Sequence, residues 1–266
     1  MIVGVQNALD TILGHAANLR QANGAGRIFE LFVMTGVAEE LHGRGHDVWL
    51  QRSDGTRMLP GDPALDFIQR GGGPAGIPPA SSGASNASCI GFQKSGSSQV
   101  WEVWNGVQFE GRSGATHEFD LAIVPHQVGS ELRLIGGHPF GRPRVAVECK
   151  DVATSGSIDE MRTFVARLYD VTLLKGHRFH LRLGSLPQAI YPANFGGDAY
   201  YASRDTYRRE NLHSFNVFAR RTGFAKGAAA MTSYHCIQPH GAVTAGSAEA
   251  DTLFGDIANW IDANLP

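Results

Sequence analysis

The stretch RVAVECKD, residues 144–151, sets an acid and an amine, Glu148 and Lys150, among residues that favour burial: Val145, Ala146, Val147 and Cys149. Side chains of an extended strand change face at every residue, so Ala146, Glu148 and Lys150 share one face and Val147 and Cys149 the other. By the same rule HEFDLAIVP, 117–125, puts Glu118 and Asp120 together, opposite Phe119 and Leu121. Adjacent strands would bring Asp120, Glu148 and Lys150 to one spot. Two carboxylates there make a hard oxygen site for a divalent ion such as Mg2+, and the ammonium offers a point charge to a phosphate or an attacking water. The competing reading of Glu-x-Lys is a solvated cross-strand ion pair.

Two further observations favour the site. The chain has four lysines, Lys94, Lys150, Lys175 and Lys226, and one of them sits inside an apolar strand. Glu30 is flanked by Ile28, Phe29, Leu31, Phe32, Val33 and Met34, and its helical stripe continues through Met34, Val37 and Leu41. A carboxylate buried there needs a cation, because an unpaired buried charge is costly. That cation is either an ion at the site or an arginine such as Arg27. Cys149 reads as a core thiol, Glu118 as a solvent or hairpin residue, and Asp151 as a loop-entry residue. The histidines of HRFH, 177–180, lack a metal-ligand spacing typical of helices, and the glycine runs at 24–27 and 71–73 lack the strand and Lys-Ser/Thr of a phosphate loop. For substrate contact, SRDTYRRE (203–210) and FARRTGFAK (218–226) alternate arginines with Tyr207, Phe218 and Phe224. Arg204, Arg208, Arg209, Arg220 and Arg221 could neutralise phosphates while rings stack on bases, and a solvated helical face explains the same residues.

These residues need elements to hold them. VQNALDTILGHAANLRQ has helical periodicity and is closed by NGAG at 23–26; RIFELFVMTGVAEELHGRG predicts a second helix stopped by Gly43 and Gly45. HDVWLQ, 46–51, reads as a strand. Residues 60–97, rich in Gly, Pro and Ser, read as a long loop. QVWEVWNGVQFEG suggests a hairpin about Asn105-Gly106. HEFDLAIVP and RPRVAVECKD are two strands joined by the Gly- and Pro-containing HQVGSELRLIGGHPFG. SIDEMRTFVARLYDVTLLKG opens with a capping box, Ser157 and Glu160, and sets Ile158, Met161, Val165, Leu168 and Thr172 on one stripe. RFHLRLG, 178–184, predicts another strand, and DTLFGDIANWIDANL a terminal helix.

The pattern resembles the PD-(D/E)XK, or restriction-endonuclease-like, metal-dependent nucleases: an acid on one strand, an acid-x-Lys triplet on the next, a helix behind, and often a Glu from a preceding helix. Asp120 matches the first acid and Glu148-Cys149-Lys150 the triplet, with Phe119 in place of the name-giving proline. The α-β-β-β-α order over 27–175, about half the chain, matches the family core. The resemblance implies an α/β fold, a central mixed sheet flanked by helices. It implies one domain over 1–266, with a core at about 27–184, the 60–97 loop and an elaboration at 185–266. It implies a Mg2+- or Mn2+-dependent endonuclease acting on DNA, in which Asp120, Glu148 and the main-chain carbonyl of Cys149 hold the ion. Lys150 would serve the water or transition state, and Glu30 would tune a second position. Within the same fold an RNase, an assembly-dependent nuclease or a non-catalytic nucleic-acid-binding scaffold stays open, as does a homodimer or a larger defence or repair assembly.

Composition is compatible with this. The 266 residues, 42% hydrophobic, suffice for a substantial core. No apolar run reaches the about 18 residues of a membrane span and no secretory signal is evident, so the chain reads as cytoplasmic. Cys89, Cys149 and Cys236 form no CxxC pair, which argues against a disulfide framework or structural zinc. The formal charge of −2 neither announces nor excludes a polyanion partner.

Overall fold

The computed structural model describes residues 1–20, 25–70, 75–111, 113–171 and 214–266. It is a mixed α/β structure built on a seven-stranded, mostly antiparallel sheet flanked by helices. The sheet comprises β2 (Asp47–Gln51), β4 (Cys89–Gln93), β5 (Val100–Glu110), β6 (Thr116–Pro125), β7 (Val145–Lys150), β8 (Phe215–Arg220) and β9 (Ile237–His240), in that order across the sheet. Pairing is antiparallel from β2 to β7 and parallel from β7 to β9. Short strands β1 (Asn18–Arg20) and β3 (Asp66–Ile68) make a separate parallel pair.

Two apolar cores sandwich the sheet. On one face α1 (Ile2–Leu13), α2 (Ala25–Gly43) and the C-terminal helix α6 (Ala248–Asn264) bury Leu9, Phe29, Val33 and Ile257 against Val103, Leu121, Val147 and Val217. On the other, α3 (His126–Ile135), α4 (Ile158–Val171) and α5 (Lys226–Tyr234) cover Trp104, Phe119, Ala122, Ala146 and Phe218. The capping box forms as predicted: Glu160 N–H donates to Ser157 Oγ at 3.2 Å, and Ser157 N–H to Glu160 Oε2 at 3.0 Å. The helix it starts buries Met161, Phe164, Leu168 and Val171. Edge-to-face contacts run from Phe109 through Phe119 and Phe164 to Phe218, with centroids 5.5–6.3 Å apart, and tie α4 to β5, β6 and β8.

Several expectations are corrected. The first helix stops at Leu13, and β1 occupies part of the span assigned to it. The Gly, Pro and Ser composition of 60–97 concealed a sheet strand, β4, along with the short β3. HQVGSELRLI is helix α3, not a plain connection, because Val128 and Leu132 supply an apolar stripe despite Gly129. Asn105-Gly106 is no hairpin. β5 runs straight through it, and the chain reverses at Gly111–Ala115, where Gly111 N–H donates to the Ala115 carbonyl at 2.8 Å. Phe218–Arg220, read as groove or helical surface, ends β8 in the sheet interior, and Arg221 lies just beyond it. The predicted strand at 178–184 lies outside the described residues.

Candidate active site

The Asn105-Gly106 signal has a different meaning. β5 and β6 keep one register on both sides, Asn105 against Leu121 and Val107 against Phe119, so Gly106 faces Asp120. Yet Val103 and Leu121 belong to the α2 core, while Val107 and Phe119 belong to the α4 core. Strict alternation would keep Val103 and Val107 on one face, and likewise Phe119 and Leu121. The phase therefore inverts on both strands at the Gly106–Asp120 position. Gly106 permits this with φ +59°, and a Cβ there would lie 3.2–3.3 Å from Arg70, Arg27 and Glu118. Phe119 and Leu121 thus face opposite cores, not one face as alternation predicts.

Asp120 sits at the inversion, and its neighbour in the sheet parts from it there. The β6–β7 ladder pairs Ile123 with Val145, Ala122 with Ala146 and Leu121 with Val147, and stops. Beyond it Cys149 N–H donates to Asp120 Oδ2 at 2.7 Å, a side-chain carboxylate taking the part of a ladder carbonyl. This opening at the end of β7 is where the acids and amine meet. Lys150 Nζ is 2.5 Å from Glu148 Oε1 and 3.7 Å from Asp120 Oδ2. The structure thus brings together Asp120, Glu148 and Lys150 as the strand pattern requires.

Helices from both faces complete the cluster. From α4, Arg167 Nη2 lies 2.7 Å from Glu148 Oε1, and its Nη1 donates to the Glu118 carbonyl at 2.8 Å. From α2, Arg27 Nη1 lies 3.0 Å from Glu30 Oε2 and 3.3 Å from Glu118 Oε1. Glu30 is buried, as its apolar flanks demanded, and its cation is Arg27. Glu118, a partly exposed residue of the β5–β6 hairpin, also turns its carboxylate to Arg27. Arg167 went unnoticed in the sequence, although it stands three residues after Phe164 and one before Leu168, on the shoulder of the buried stripe.

Burial and charge set the protonation of the site. Burial, reinforced by Glu148 and Glu30, pushes the Asp120 carboxyl well above the usual aspartate range against the pull of Lys150 and the Cys149 N–H. Burial raises Glu30 too, with Arg27 opposing. For Lys150 burial favours the neutral amine, but Glu148 and Asp120 prevail and raise its pKa. Burial drives the Cys149 thiol well up, so it is a core thiol and not a nucleophile.

Does this donor set suit a divalent ion? Among the described residues no group of three or more His, Cys, Asp and Glu side chains is arranged to hold a metal. The set in question needs only two carboxylates and a main-chain oxygen. Glu148 Oε2 is buried and has no hydrogen-bond partner among the described residues, and burial beside Glu148 raises the Asp120 carboxyl. Hard oxygen donors in that state fit a cation such as Mg2+.

The arginine candidates fare differently. Arg220 is fully buried: its Nη1 lies 2.5 Å from Glu160 Oε2 and its Nη2 donates to the Thr154 carbonyl at 2.7 Å. It joins β8 to the start of α4 and presents nothing to a phosphate. Arg221, half exposed, lies 2.8 Å from Asp151. Arg204, Arg208 and Arg209 lie outside the described residues. No described helix is long and apolar enough to cross a membrane.

Against known proteins, the chain matches no family model, no curated protein and no solved structure.

Proposed function

We propose that the chain is a divalent-metal-dependent nuclease with a restriction-endonuclease-like core, hydrolysing phosphodiester bonds in DNA. The observation that supports this is the meeting of Asp120, Glu148 and Lys150 where β6 and β7 part, with Glu148 Oε2 buried and without a partner among the described residues. Asp120, Glu148 and the Cys149 carbonyl would hold Mg2+ or Mn2+. When bound, such an ion supplies Lewis acidity at a phosphate and lowers the pKa of a water. Lys150, on the exposed side of the cluster, steadies charge building on the phosphoryl oxygens. Arg167 fixes the Glu148 carboxylate, and the Arg27–Glu30 pair sets the field behind Asp120.

A second reading draws on one observation. Glu148 Oε1 already has two cations, Lys150 and Arg167, so the network is closed on that oxygen without a metal. A non-catalytic module would keep such a network for stability alone. Incubating the protein with plasmid, single-stranded DNA and RNA, in Mg2+ or in excess EDTA, separates these. Mg2+-dependent DNA cleavage supports the proposal, cleavage of RNA alone moves it to an RNase, and intact substrates throughout favour the scaffold. Cleavage that survives EDTA overturns the metal site.

A further inference from the structure

Away from this cluster, α3 carries a second constellation that the nuclease reading does not use. His126 and Ser130 are four residues apart and share one helix face. Ser130 Oγ lies 2.9 Å from His126 Nε2, and His126 Nδ1 lies 2.6 Å from Glu102 Oε1. Glu102, on β5, has no exposed surface. Its Oε2 accepts from Arg133 Nη2 at 2.7 Å and from Trp104 Nε1 at 2.8 Å, and its Oε1 from Gln51 Nε2 at 3.1 Å. Burial opposes the Glu102 charge, but the His126 and Arg133 hydrogen bonds hold its carboxyl below the usual range.

The chain of hydrogen bonds has a direction. An ionised Glu102 only accepts, so His126 Nδ1 carries the proton of that bond, and in the tautomer this selects Nε2 is the acceptor for the Ser130 hydroxyl. A serine inside a helix commonly bonds back to the carbonyl four residues earlier. Here the hydroxyl bonds the imidazole instead. A Cβ at Gly129 would fall 2.2 Å from Glu102 Oε2, so only glycine lets this carboxylate reach the underside of α3. Leu134, one turn further along the same stripe, is 81% exposed and offers an apolar rest for an acyl chain.

We infer that Ser130, His126 and Glu102 form a nucleophile, base and orienting acid that cleave small activated carboxylic esters, independently of any metal. Ser130 Oγ bonds to the acyl carbon while its proton passes to His126 Nε2. The bond to the leaving oxygen breaks, and that oxygen takes the proton and departs as the alcohol. Water then attacks the acyl carbon and gives a proton to His126 Nε2. The acyl–Oγ bond breaks, the acid leaves, and Ser130 regains its proton.

The test is covalent labelling of the whole protein in EDTA with an alkyl fluorophosphonate, which traps such a serine with loss of fluoride, followed by peptide mass spectrometry. One adduct at Ser130 is expected, absent from Ser130→Ala and formed at least about 10-fold more slowly by His126→Asn, with p-nitrophenyl acetate turnover falling in parallel. No adduct at Ser130, or equal labelling of His126→Asn, overturns the inference. Should His126→Asn unfold, the parent protein decides: an adduct that forms equally fast in guanidinium reflects an ordinary serine and also overturns it.

Discussion

Replacing Asp120 by Asn tests the site through stability, before any activity is measured. The two Lys150 distances, 2.5 and 3.7 Å, confine the nearest Glu148 and Asp120 oxygens to within about 6 Å of each other. At an effective dielectric of about 20, two carboxylate charges at that separation repel by about 3 kcal/mol. Lys150 offsets part of this but lies closer to Glu148, and burial penalises the Asp120 anion further. Asn keeps the shape and can still accept the Cys149 N–H. Without metal, Asp120→Asn should therefore gain about 1–3 kcal/mol at neutral pH, a Tm rise of about 2–8 °C for a chain of this size. The sign follows from the raised carboxyl. Below the ordinary value of 3.8 Asp120 is protonated in both folded and unfolded chains, and the variant has no advantage. As pH climbs from there through the raised folded value, the native protein loses stability because its folded form must give up a proton it holds tightly, and the gap widens. Mg2+ should invert the order. The parent gains RT ln(1 + [Mg2+]/Kd), about 2.7 kcal/mol at 100 Kd, and the variant gains nothing. Scanning fluorimetry between pH 4 and 8, with and without Mg2+, reads all of this. A variant less stable than the parent at every pH, together with a parent melt indifferent to Mg2+, would refute both the crowding of charge and the metal assignment.

Three other outcomes are expected. Lys150→Ala should lower cleavage on the order of 10²-fold or more while sparing substrate binding, and Lys150→Arg should be nearly as inactive because a planar fork does not replace a compact ammonium; parent-like cleavage by both would move the chemistry elsewhere. Arg167→Ala leaves Glu148 with Lys150 alone and removes the donor to a part-buried main-chain acceptor at Glu118, so it should cost about 1–3 kcal/mol in a denaturant melt, with Arg167→Lys recovering only part. Gly106→Ala should cost about 1–2 kcal/mol for a Cβ in the left-handed region, with further loss from contacts at 3.2–3.3 Å to Arg70, Arg27 and Glu118; an unchanged melt would contradict the inverted strand phase.

Where local pattern and tertiary environment agree, the sequence was legible. The run at 145–150 is a strand because Val145, Val147 and Cys149 repeat at two and face α2, and Glu30 is buried because α2 has apolar residues on every side of it. The Ser157–Glu160 box is a purely local hydrogen-bond exchange, so four residues announce it. Illegible elements had a local signal pointing elsewhere. Asn105-Gly106 carries turn chemistry, but pairing with β6 on both sides of it holds its backbone in the strand and uses the left-handed glycine to invert a pleat. Gly129 weakens a helix locally, yet α3 forms because Val128 and Leu132 have a sheet to cover.

The chemistry divides in the same way. Residue type and a period of two determined by themselves that an acid and an amine would share one face of β7, since a strand leaves no other geometry. Which other charges stand around them was decided only by tertiary structure. Arg167 reaches Glu148 because a row of phenylalanines seats α4 on the sheet, and Asp120 reaches Cys149 because the β6–β7 ladder ends at Leu121 and Val147. Arg220 is the converse: its neighbours read as a basic surface, and parallel pairing of β8 with β7 and β9 drew it into the interior, where Glu160 neutralises it. Period and propensity act between neighbours in the chain, whereas burial and charge pairing act between neighbours in space, which for these residues lie 29, 19 and 60 positions apart.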